Sequence, residues 1–140
     1  VESATGPQLR ALGNLVGEQQ GQLSNEEFRA IIRAKARALR ATGIARDVVD
    51  VGRLLLGDGT GGRLLLSELP PCYYELTVIA DPGAPWSEAF RARARRVLDL
   101  ARPIGWGSNY LYTTIRPAFM AGPGTSDGGG YDVGAFVDYL

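Results

Sequence analysis

The chain has 140 residues, with 15 acidic residues balanced by 15 basic ones, so its formal net charge is zero. Apolar residues make up 45% of it, enough for one modest core, while no apolar run reaches the roughly 18 residues that a membrane-spanning helix needs. It has no histidine and one cysteine, Cys72, which excludes an internal disulfide, a cysteine or histidine metal centre and the commonest general base.

Lys35 is the only lysine; every other basic residue is arginine, whose planar, multi-donor head suits protein interfaces. No signal peptide is visible, and a first residue of Val1 rather than Met reads as processing or excision from something longer.

Leu9, Leu12, Leu15 and Val16 predict a short first helix of one or two turns, ended by Gly17. Ser24 then opens a longer helix. Ser24 and Glu27 have capping-box spacing, and Phe28, Ile31, Ile32, Ala36 and Leu39 fall on one face. Arg29, Arg33, Arg37 and Arg40 form a second stripe, and Thr42-Gly43 stops the helix. Residues 45–56 predict a third helix through Val48, Val49, Val51, Leu55 and Leu56, with Asp47 in its first turn facing the helix dipole. The short link between these helices predicts a hairpin.

The glycine cluster at 57–62 breaks the helical pattern. Residues 63–69 and 73–80 then alternate as strands on either side of Pro70-Pro71; Tyr74, Leu76, Val78 and Ala80 share one face of the second. Cys72, at the start of that strand, is expected as a buried structural thiol. Ser87 is the expected N-cap of a helix running to about residue 102, with Phe90, Ala94, Val97, Leu98 and Ala101 inward. Residues 109–116 form a third strand. A glycine-rich stretch follows at 121–130, expected to be ordered only by a partner, and Phe136, Val137 and Tyr139 predict a short edge strand.

The predicted fold class is therefore α+β. A helical arm or hairpin covers residues 1–57, a glycine-rich linker 58–62, and a small α+β domain with a glycine-rich tail 63–140. The second half reads as a split β-α-β layer, one helix covering a three-stranded sheet.

Little in this pattern carries chemistry. The 57–62 glycines lack the lysine and Ser/Thr of a phosphate loop and follow a helix rather than a strand. Gly105-Trp106-Gly107 lacks the third glycine of a dinucleotide fingerprint. Asp127 and Asp132 do not have EF-hand spacing. Glu68, Glu75 and Asp81 form no paired-carboxylate site, and no serine sits in a nucleophile elbow. The arginine stripes at 29–40 and 91–102 raise nucleic-acid binding, against zero net charge and no accompanying motif. The sequence thus points to a chain without enzymatic activity, cofactor or metal, working through its surfaces.

Three stretches carry a resemblance. The first is Glu2-Ser3-Ala4-Thr5-Gly6-Pro7-Gln8-Leu9, leading to Leu12-Gly13 and Leu15-Val16-Gly17. The second is Leu23-Ser24-Asn25-Glu26-Glu27-Phe28-Arg29, continued by Ile32-Arg33-Ala34-Lys35. The third is the strand-helix-strand half with its close, Gly129-Gly130-Tyr131-Asp132-Val133-Gly134-Ala135-Phe136. In this order and spacing they resemble an uncharacterised family of tail proteins encoded among the baseplate genes of contractile-tailed bacteriophages.

The resemblance implies a structural virion protein: a baseplate wedge component near the tail tube or hub, assembled in the host bacterial cytoplasm and present in multiple copies in a symmetric assembly. Its partners would be other baseplate and tail proteins; no membrane is expected, and nucleic acid is the less favoured partner. It supplies no catalytic or ligand residues. On this reading Phe28, Ile31, Ile32 and Leu39 form the contact face toward a neighbouring subunit, and Arg29, Arg33 and Arg37 set its register through charge pairs. A nucleic-acid-associated protein and a small adaptor are the alternatives.

Overall fold

The computed structural model describes residues 4–57, 62–114 and 138–139. Helices α1 (Gly6–Leu15), α2 (Asn25–Ala38) and α3 (Ala45–Leu56) precede strands β1 (Arg63–Leu69) and β2 (Tyr73–Ile79). Helix α4 (Glu88–Ala101), β3 (Gly107–Thr113) and a two-residue β4 (Asp138–Tyr139) complete a mixed α+β fold.

Local chemistry accounts for the helix ends. The Ser24 hydroxyl accepts from the Glu27 amide at 3.2 Å, and the Glu27 carboxylate accepts from the Ser24 amide at 2.9 Å. Both partners of the capping box thus satisfy backbone donors that the first turn of α2 leaves orphaned. Ser87 caps α4 by accepting from the Phe90 amide at 3.1 Å. Gly17 and Gly43 turn the chain out of α1 and past the end of α2 at φ of +71° and +81°, where a side chain would be strained.

The sheet runs in the order β1-β2-β3-β4. β1 and β2 are an antiparallel hairpin, β2 and β3 pair in parallel, and β4 returns antiparallel beside β3. Tyr139 of the expected edge strand pairs opposite Leu111. The β-α-β unit is not split: β2 lies directly beside β3, Leu76 opposite Tyr110, and no strand separates them. A parallel pair needs a long crossover, and α4 provides it.

The alternation expected in β2 holds at Tyr74, Leu76, Val78 and Ala80, all buried. Leu64 and Leu66 of β1 and Tyr110 and Tyr112 of β3 share that face. Two departures follow from the tertiary arrangement. Ile79, on the opposite face, is also buried. Cys72 is exposed rather than buried, because it sits in the β1–β2 turn with φ of +52° instead of entering the strand.

The expected separation of a helical arm from a small domain gives way to a single hydrophobic cluster. That cluster joins Leu9, Phe28 and Ile31 to Val48 and Val51, and onward to Leu76, Phe90, Leu98 and Tyr112. Helices α2 and α3 pack on each other and both pack on α4, while α3 also meets β1. Burying an aliphatic or aromatic side chain contributes about 1.5–3 kcal/mol, so α2 and α3 are stabilised by the face they share with α4. The glycines at 58–61, the 121–130 stretch and the Asp127/Asp132 pair lie outside the described residues. Among the described residues no helix is long and apolar enough to cross a membrane.

Candidate functional site

Helix α2 carries the residues expected to meet a partner, and its surroundings decide what each can do. Phe28 and Ile31 are fully buried and Ile32 is 3% exposed, all within the chain's own core. They are therefore not an open contact face. The periodicity that marked them as one apolar stripe is that of a core stripe, and α4, distant in sequence, covers it together with α1 and α3. Of the four apolar positions only Leu39, just past the end of α2, stands open to solvent.

The arginines of α2 are also engaged internally. Arg29 donates to the Ala4 carbonyl through Nη2 at 2.8 Å and Nε at 3.3 Å, holding the start of α1. Arg37 donates to Asp47 at 2.6 Å and Asp50 at 3.1 Å, both on α3. Of these two only Arg37 makes charge pairs, and they join two helices of one chain; the acceptor of Arg29 is a backbone carbonyl ahead of α1. Arg33 lines a groove of about 620 Å³ with Arg29, Glu26, Leu55, Leu56 and Trp86. Opposed acidic and basic side chains share that groove, so it has no dominant charge to select an ion.

Asp47 is the hub of the α2–α3 turn. It lies in the first turn of α3, as its position in the sequence implies, and it is also buried and accepts three hydrogen bonds. They come from the Thr42 amide at 2.6 Å, the Thr42 hydroxyl at 3.0 Å and Arg37. The Thr42 amide bond, with help from Arg37, outweighs desolvation and lowers its pKa from 3.8 to about 2. A folded-state pKa below the unfolded value stabilises the fold fully above pH 4 or so, and that contribution is lost as pH falls toward 2. Asp47→Asn is expected to unfold at lower urea at pH 7, and to lose less stability than the parent between pH 4 and pH 2. A variant as acid-sensitive as the parent would show that other carboxylates carry the effect.

Two further clusters tie the layers together. Burial pushes the Glu27 carboxyl up, but hydrogen bonds from Ser87 and Ser24 more than reverse this, leaving it below the usual range. The Ser87 hydroxyl donates to it at 2.6 Å, which places the N-termini of α2 and α4 side by side. Inside, the Tyr74 and Tyr110 hydroxyls are 2.9 Å apart, and the Tyr110 hydroxyl donates to Asp99 at 3.1 Å. Burial raises both phenols, Tyr110 most, and its bond with Tyr74 adds to the effect. Both stay protonated near neutrality, so the pair bridges α4 to the sheet and supplies no phenolate nucleophile.

Several large apolar side chains are nevertheless left open to solvent. Leu39, Ile44, Leu100 and Ile104 are exposed where the C-terminal ends of α2 and α4 meet, and Leu69 and Tyr73 are exposed on the β1–β2 hairpin at the same end of the sheet. Of these, sequence reasoning singled out only Leu39. The usable signal was Leu100 lying off the 90/94/97/98/101 face, and Ile104 wedged between Pro103 and Gly105. Comparison with known protein families, with curated proteins and with solved structures finds no match to this chain.

Proposed function

We propose that this chain is a structural component of a contractile-tail baseplate, a wedge-like subunit held in several copies by neighbouring tail proteins and located in the virion. The observation that carries this reading is the order and spacing of the three stretches that resemble the phage tail family.

The way the first two stretches fit together supports it. Arg29 of the second grips the Ala4 carbonyl of the first, and Lys35 donates to Gly17 at 3.2 Å. The position a Cβ would take on Gly13 is 2.4 Å from the Phe28 ring, so glycine lets that ring approach the helix. The two stretches form one packed unit, which gives a physical reason for them to occur together. The third stretch is described only in its strand-helix-strand half, β2, α4 and β3; its close at 129–136 lies outside the described residues.

On this reading the chain works through contacts and performs no catalysis. Nucleic-acid binding has less support, because Arg29, Arg37 and Arg93 are held by groups within the chain and Arg91 lies 5.2 Å from the Tyr112 ring centroid. The test is an affinity pull-down of the tagged chain from cells producing the particle, with the captured material imaged by electron microscopy. Tail ends or baseplate subassemblies, with neighbours named by mass spectrometry, support the proposal. A bare monomer overturns it.

A further inference from the structure

Four aliphatic side chains stand in water at one end of the molecule: Leu39, Ile44, Leu100 and Ile104, with relative exposures of 60%, 54%, 50% and 101%. Scattered single leucines need no explanation, but neighbouring ones mark contact surfaces. Their adjacency follows from helix spacing and three contacts. Lys35 of α2 and Arg93 of α4 both reach Glu18, at 2.6 Å and 3.9 Å, and so lie on the same flank of the α2–α4 seam. One turn beyond Lys35 on that flank is Leu39; two turns beyond Arg93 is Leu100. A Cβ on Gly43 would lie 3.5 Å from the Pro103 Cα, so the next residues along, Ile44 and Ile104, flank the same contact and close the patch.

The rim is cationic. Arg40, Arg46 and Arg96 are exposed and make no ion pair among the described residues. The nearby carboxylates are committed: Glu18 is shared by two cations, and Asp99 accepts from Tyr110 and lies 3.9 Å from Arg102. A second copy meeting this face with its own would set arginines against arginines. A phosphate backbone would satisfy the arginines and leave four aliphatic side chains in water.

We propose that this end of the molecule, the α2–α3 turn with the C-terminus of α4, docks a partner protein surface made of an aliphatic stripe bordered by carboxylates. Apolar centre and charged rim are the usual division of a protein interface, the first supplying affinity and the second orientation and encounter rate. The proposal rests on the assembly reading above and names the surface and partner chemistry that it would use.

The test uses the full chain and a synthetic helical peptide with leucines at i, i+3, i+4 and i+7 and glutamates on both flanks, titrated by calorimetry. The expected result is saturable binding that weakens with salt and falls roughly tenfold or more in Ile104→Asp and Leu100→Asp. Both variants alter exposed positions, and circular dichroism checks their fold. Equal binding of a peptide with lysines in place of the glutamates overturns the proposal, as does binding unchanged in the variants. Two other occupants would also overturn it. Tighter binding to phosphatidylserine vesicles than to the peptide, lost in Ile104→Asp, assigns the face to a lipid surface. A concentration-dependent dimer abolished by Ile104→Asp assigns it to a second copy. Particles that incorporate Ile104→Asp normally overturn this surface while leaving the baseplate reading intact.

Discussion

Replacing Ile32 with Asp is expected to unfold the whole chain. As a contact-face residue, Ile32 would have tolerated the change with only assembly lost and the C-terminal half still folded. Its actual place, 3% exposed in the cluster that also holds Phe90, Leu98 and Tyr112, predicts a different outcome. Truncating such a side chain costs about 2–5 kcal/mol. A carboxylate in the same apolar setting adds several kcal/mol, whether it stays charged or takes up a proton. Together these approach the ~5–15 kcal/mol that stabilises a typical domain. Circular dichroism and amide NMR spectra check the result: helical signal and shift dispersion collapse together. If dispersed strand resonances survive while the helices melt, the two halves fold separately and the shared core is not cooperative.

The second large effect belongs to Phe28 and the glycine beneath it. Phe28→Ala is expected to destabilise the fold by about 3–5 kcal/mol, because the ring is fully buried between α1 and the core. Gly13→Ala should also destabilise, although alanine is favoured over glycine in a helix by about 1 kcal/mol. The added methyl meets the Phe28 ring at 2.4 Å and the Glu18 carbonyl at 2.8 Å, and the backbone contact cannot swing away. Urea unfolding of both single variants and the double variant measures the coupling. Removing the ring should relieve part of the Gly13→Ala penalty, since the two positions touch. Strict additivity within about 0.5 kcal/mol would show that the ring and the glycine do not constrain one another.

Much of the secondary structure could be read directly from local signals. Ser24 and Glu27 cap α2 as their spacing implies, Ser87 caps α4, and the inward residues of α4 from Phe90 to Ala101 are buried as their period predicts. Alternation in β2 gave the correct inner face from Tyr74 to Val78. These features depend on a few neighbouring residues and on the 3.6- and 2-residue periods, which the chain carries wherever it folds.

The candidate surface was much less legible. An apolar stripe such as Phe28, Ile31 and Ile32 reads the same whether its cover comes from another molecule or from a helix sixty residues later in the same chain. The arginines at 29 and 37 likewise read as a solvent or partner face until Ala4, Asp47 and Asp50 are brought to them. Nor could local pattern reveal that Leu39, Ile44, Leu100 and Ile104 meet, because they come from two segments far apart in the chain, 39–44 and 100–104.

The sequence by itself determined the helices, the caps of α2 and α4, the three longer strands and the absence of histidine or paired-cysteine chemistry. Tertiary structure alone decided that β2 and β3 are direct neighbours, that helices and sheet share one core, and that the open apolar surface lies at the shared end of α2 and α4. The physical reason is range: capping and periodicity are settled within one or two turns, whereas burial is settled by whatever the folded chain places opposite each face.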